Sequence, residues 1–81
     1  MRITMEITYY SRPNCGLCEE GKLLLKLVCE DFPFQLNEIN IEEDEEIHQK
    51  YMLMIPVVMK NNEIIQYGQL DYVTLLEGIQ E

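Results

Sequence analysis

The chain has 81 residues, 47% of them hydrophobic, and 15 acidic against 6 basic side chains leave a formal charge of −9. That length gives room for one modest core. The charge argues against binding nucleic acid through its phosphates or a close hold on anionic membranes, both of which need clustered Lys and Arg. No apolar stretch approaches the ~20 residues that span a bilayer, and Met1 to Ile7 lacks the long apolar core of a secretory signal. A single cytoplasmic domain over residues 1–81, monomeric and bound to neither nucleic acid nor membrane, is the expectation.

Ile3 to Tyr10 is rich in β-branched and aromatic residues and alternates roughly, which predicts a first strand. Ser11-Arg12-Pro13-Asn14 breaks it with turn chemistry. From Cys15 to about Glu30 the pattern turns helical, with Cys18, Lys22, Leu25 and Cys29 near one line and Leu24 and Val28 beside it. Asp31 to Phe34, with Pro33, ends that helix. Phe34 to Ile41 reads as a second strand whose alternation slips near Asn37.

Glu42 to Glu46 is an acidic run that reads as a solvated loop leading into a helix, or as a docking surface for a basic partner. Asp44 to about Leu53 is the second helix, its leading carboxylates placed where a helix N-terminus favours negative charge. Ile55 to Lys60 and Glu63 to Tyr67 read as strands joined at Asn61-Asn62, a pair that tolerates the positive φ of a tight hairpin. Asp71 reads as the N-cap of a last helix reaching Ile79. The order β-α-β-α-β-β-α predicts an α/β domain with a mixed sheet. Its first β-α-β has the length of a right-handed parallel crossover.

The chemistry concentrates in Cys15-Gly16-Leu17-Cys18, directly after a predicted strand and opening a predicted helix. Free N–H groups and the helix dipole there stabilise a thiolate at the first cysteine, below the ~8.5 of a free thiol. Two intervening residues let the second sulfur reach the first, so that Cys15 attacks a disulfide and Cys18 resolves the mixed disulfide. Half of a zinc site is the competing reading, but it needs four Cys or His ligands and only Cys29 and His48 remain. Cys29 lies about 16 Å along a helix from Cys18, at ~1.5 Å per residue. That is too far for a disulfide between them, and the expectation is an inert core thiol sharing the inward face of Cys18. His48, in an acidic helix, reads as a surface residue, and the tyrosines and methionines as core or rim packing.

The segment Tyr9-Tyr10-Ser11-Arg12-Pro13-Asn14-Cys15-Gly16-Leu17-Cys18-Glu19 resembles the active-site segment of glutaredoxins. It is closest to the small glutaredoxin-like group with Leu before the second cysteine and Glu after it. The resemblance covers nearly the whole chain. It implies a thioredoxin-like fold, a four-stranded mixed sheet in the order 2-1-3-4 flanked by helices. In Met54-Ile55-Pro56-Val57-Val58 it implies a cis-proline, Pro56, facing the cysteine pair, and an Ile55 that offers its backbone to a substrate peptide or to glutathione.

Glutaredoxins also carry a Gly-Gly-x-Asp-type turn that holds a glutathione carboxylate. Here it is Gly68-Gln69-Leu70-Asp71, with a single glycine, so Gly68 and Asp71 become candidate substrate-binding residues. Arg12 and Lys50 stand where basic residues flank glutaredoxin sites. Gly16 and Leu17 replace the usual proline and tyrosine, and Gly21 stands where a small residue is common.

The implied activity is thiol–disulfide oxidoreduction by Cys15 and Cys18 on protein or glutathione mixed disulfides. No tightly bound cofactor or metal is expected. Glutathione is a candidate co-substrate, and a thioredoxin-type protein a candidate reductant. Two other classes stay open: an iron–sulfur or metal-binding relative, compatible with glycine after the first cysteine, and an interaction module with an inactive pair.

Overall fold

The computed structural model describes residues 5–81. The first strand, β1, runs Glu6–Ser11, one residue past the expected end, while the expected start at Ile3 lies outside the described residues. Helix α1 (Gly16–Asp31) follows, then β2 (Gln35–Asn40), a 3₁₀ turn at Ile41–Glu43, α2 (Glu45–Tyr51), β3 (Val57–Lys60), β4 (Glu63–Tyr67) and α3 (Tyr72–Gln80). The sheet order is β2-β1-β3-β4, with β1 parallel to β2 and antiparallel to β3, and β3 antiparallel to β4. The thioredoxin-like α/β architecture implied by the sequence is the one observed.

Local chemistry explains the boundaries. Cys15 caps α1, its sulfur accepting the Cys18 N–H at 3.1 Å. At the other end the Phe32 N–H reaches back to the Val28 carbonyl before Pro33 forbids another turn. Within the acidic run, Asp44 is the α2 cap, accepting the Ile47 N–H at 3.1 Å, and the side chains from Glu42 to Glu46 are exposed. Asp71 caps α3 as expected. Asn61 and Asn62 both take positive φ, 53° and 67°, as a two-residue hairpin with the strands' own twist requires. Helix α2 is shorter than expected, because the chain leaves it at Tyr51 in a tight turn closed by Met54 N–H to the Tyr51 carbonyl at 2.8 Å.

The sheet alternates sides. Ile7, Tyr9 and Val58 face α1 and α3, joined there by Leu25, Val28, Phe34, Leu70, Leu75 and Ile79. Tyr10, Val57 and Met59 face the other way, with Ile41, Ile47 and Tyr51. Each fully buried aliphatic side chain is worth about 1.5–3 kcal/mol over leaving it in water.

The inward face of α1 differs from the one anticipated: it is Cys18, Gly21, Leu25 and Val28, not a line through Lys22 and Cys29. Gly21 centres that face because, lacking a side chain, it lets Tyr9 and Leu70 come close. Lys22 swings outward to pair with Glu38 at 3.0 Å, and Cys29 is half-buried at the margin, its thiol donating to the Phe34 carbonyl at 3.3 Å. Among the described residues no helix is long and apolar enough to cross a membrane.

Candidate active site

Register brings the site together. Ser11 ends β1 opposite Asn40, the end of β2; Tyr10 pairs with Val57, the start of β3; Val57 pairs with Tyr67, the end of β4. The four connections that carry Arg12–Cys15, the acidic run, Met52–Pro56 and Gly68–Asp71 therefore leave the sheet at one end.

Cys15 and Cys18 form a disulfide there, with Cα atoms 5.2 Å apart. The two sulfurs are not equivalent. Cys15 is half-exposed ahead of the helix, whereas Cys18 is 4% exposed beneath it. The Cys18 N–H aimed at the Cys15 sulfur is one of the donors a helix start leaves without an internal partner, and a thiolate there gains a charge-assisted bond. Asn14 takes a positive φ of 58° to turn the chain into this cap, after an exposed Arg12 and Pro13. Gly16 has nothing within 4 Å of where a Cβ would lie, so the approach to Cys15 is open on that side.

The Ile55–Pro56 peptide is cis, as the resemblance implied. Pro56 is buried and Ile55 half-buried. Gly68, at a positive φ of 76°, sends its N–H to the carbonyls of both Met54 and Pro56, at 3.0 and 2.8 Å. The lone glycine is thus required by its backbone conformation and is tied to the cis-proline loop.

Asp71 is equally engaged. Its carboxylate accepts from the Thr74 N–H and hydroxyl and from Gln66 Nε2, while its own N–H donates to Gln66 Oε1 at 3.0 Å. These bonds, the Thr74 N–H foremost, hold its carboxyl below the ordinary aspartate range. Lys50 is drawn over the Tyr51 ring, 5.4 Å from its centre. Exposed apolar side chains mark the same end: Leu17, Met52, Tyr67 and above all Leu53, which is 91% exposed. Among the described residues no three His, Cys, Asp or Glu side chains are grouped to hold a metal ion.

Two residues here were not singled out by sequence. Gln66 braces the Asp71 turn, and nothing in its surroundings along the chain marks it. Tyr9 is fully buried, and its hydroxyl donates to the Cys18 carbonyl at 2.6 Å. The available signal was its place beside Ile7 on the inward side of β1, since a buried tyrosine hydroxyl needs a partner.

Comparison with known proteins agrees with this geometry. Residues 6–80 match the model of the Glutaredoxin-like domain (DUF836) family. The chain is 32% identical over 74 residues to the Glutaredoxin-like protein YDR286C homolog of Dictyostelium discoideum, a match covering 84% of this chain and 68% of that one. Protein Ne2328 from Nitrosomonas europaea superposes with a TM-score of 0.77 at 26% identity, over 93% of this chain and 91% of that one. Thioredoxin 1 from Thermosipho africanus shares the fold, with a TM-score of 0.66 at 15% identity over 94% and 91% of the two chains. A cysteine pair at a helix start, a cis-proline loop tied to Gly68 and a sequence match across both place this chain in the glutaredoxin-like family.

Proposed function

We propose that the chain is a dithiol–disulfide oxidoreductase in which Cys15 attacks and Cys18 resolves. The observation that carries this is the asymmetry of the pair: a half-exposed Cys15 sulfur receiving a helix-start N–H, and a buried Cys18 behind it. The Cys15 thiolate attacks a disulfide R–S–S–R′, forming Cys15–S–S–R and releasing R′S⁻, which takes a proton from solvent. The Cys18 thiol then loses its proton and attacks the Cys15 sulfur, releasing RS⁻ and closing the Cys15–Cys18 disulfide. Two electrons have passed to the substrate, and an external dithiol, or two thiols, returns the pair to its reduced form. In a Cys29→Ala background, Cys18→Ser should trap a stable mixed disulfide at Cys15, whereas Cys15→Ser should form none. Equal trapping by both variants would refute the assignment.

A protein disulfide is the substrate we favour, and a protein or small dithiol the reductant, over glutathione. The N–H groups of Gly68 and Asp71, which could have held a glutathione carboxylate, are spent on Met54, Pro56 and Gln66. The Asp71 carboxylate is used as a helix cap. The exposed apolar rim of Leu17, Leu53 and Tyr67 suits a polypeptide better than a small anion. The formal charge adds little, because repulsion is screened within ~8 Å at physiological salt. The rate of reduction of the Cys15–Cys18 disulfide by glutathione should fall well below that by a thioredoxin-type dithiol. Rapid, saturable turnover with glutathione would overturn the preference.

A further inference from the structure

We propose that Tyr9 is a positioning residue for the cysteine pair: its buried hydroxyl holds the Cys18 backbone so that the Cys18 N–H stays aimed at the Cys15 sulfur. The inference rests on the oxidoreductase reading above and adds to it the residue that sets the balance between dithiol and disulfide.

Gly21 makes the room for this tie. A Cβ there would stand 2.5 Å from Tyr9 Oη and 2.6 Å from Leu70 Cδ1, so the missing side chain is the space into which both reach. From that notch the hydroxyl donates to the Cys18 carbonyl at 2.6 Å. A carbonyl has two lone pairs, and this one takes the bond beside the ladder bond expected of a helical residue. Cys18 is therefore held from two sides, by its own helix and by β1. Leu70, from the turn that starts at Gly68, closes over the same point. A phenylalanine would fill the space of the Tyr9 ring, so what the hydroxyl adds is the single tie to Cys18.

That tie matters unequally in the two redox states. In the disulfide, the Cys18 N–H meets a neutral sulfur. In the dithiol it meets a thiolate, and such charge-assisted bonds are about twice as strong as neutral ones. Slack at Cys18 therefore costs the reduced state more, and removing the hydroxyl shifts the pair toward the disulfide.

The test equilibrates the full chain, as the Cys29→Ala variant, with dithiothreitol: disulfide plus dithiothreitol giving dithiol plus oxidised dithiothreitol, two electrons passing each way. Tyr9→Phe should lower the equilibrium constant for reduction by roughly two- to threefold, because losing the bond costs both redox states and only the weaker aim of the Cys18 N–H at the thiolate separates them. Gly21→Ala displaces the hydroxyl without deleting it and should move the constant the same way. It carries the same readout if Tyr9→Phe does not fold. The double variant should shift the constant by less than the two single shifts combined, because both variants disturb the Tyr9–Cys18 bond while Gly21→Ala also meets Leu70. If Tyr9→Phe lowers thermal stability equally in both redox states and leaves the constant unmoved, Tyr9 is core packing and the proposal fails. A parent protein that does not titrate reversibly would sink the redox reading and this inference with it. A parent that titrates beside an unmoved Tyr9→Phe sinks this inference alone.

Discussion

The two faces of the sheet are built to different standards. Toward α1 and α3 the core is broad, and two glycines serve as sockets: Gly21 beneath Tyr9 and Leu70, and Gly78 against the Ile65 side chain. Toward α2 the buried cluster is Ile41, Tyr51 and Val57, and half-buried Ile47, Met54, Ile55 and Met59 fill in around a Tyr10–Tyr51 stack with ring centres 4.5 Å apart. The cysteine helix belongs to the first face, and the apolar residues before the cis-proline belong to the second. A thiol pair works only if its geometry is fixed, which dense packing provides. A rim that meets a partner's surface tolerates looser support.

Truncating one side chain on each face measures the difference most directly. Leu75→Ala, on the dense face, should cost about 2–5 kcal/mol, because a site locked on all sides cannot collapse into the cavity. Ile47→Ala, half-buried on α2, should cost on the order of 1 kcal/mol. Urea denaturation of the oxidised protein measures both. Equal losses would mean that the faces are equally packed.

The neighbours Tyr9 and Tyr10 sharpen the contrast, since β1 turns one to each face. Burial, and then the charge of Glu38, push the Tyr9 phenol far above its ordinary 10.0. Tyr10 is raised by burial and by Tyr51, with Lys50 opposing. A phenol whose folded pKa is raised contributes stability that is complete below the unfolded value and lost as pH climbs beyond it. The urea midpoint of the disulfide form should therefore fall above pH 10. Tyr9→Phe should flatten that fall and Tyr10→Phe leave most of it; the reverse result would exchange the two environments.

The order of elements was legible because each boundary is local chemistry: Asp44 and Asp71 as caps, Asn61-Asn62 as a hairpin, Pro33 as a stop. The cysteine pair was legible for the same reason, as four consecutive residues at a strand-to-helix junction. Relations across the fold were not. The one-position shift of the α1 face, from Lys22 and Cys29 to Gly21 and Val28, depends on Gly21 meeting Tyr9 and Leu70, residues far apart along the chain. The role of Gly68 depends on carbonyls 12 and 14 positions earlier, at Pro56 and Met54, brought near by the β3–β4 pairing. The cis-proline came from resemblance alone, since an X–Pro bond carries no local mark of its isomer.

The smallest expected effect lies at the start of α1, at Gly16. Here glycine is not required by the backbone: only Gly68 among the glycines has a positive φ within the described residues, and a Cβ at Gly16 would meet nothing within 4 Å. Gly16 is the first residue of α1, the position where proline is favoured, because its N–H lies outside the helical ladder. The preceding Cys15 sits at φ −121° and ψ 107°, in the extended region that a following proline demands. Gly16→Pro should therefore fold and gain about 0.4–1 kcal/mol, by restricting the unfolded chain. The Cys18 N–H that serves the Cys15 sulfur is two residues on and is untouched. Thermal denaturation reads the gain in the oxidised form, and the same variant reads access to Cys15. If the turnover of a protein disulfide falls while the reactivity of Cys15 toward a small alkylating agent holds, the open space beside Gly16 is occupied by the incoming substrate. If both are unchanged, that space takes no part in the approach.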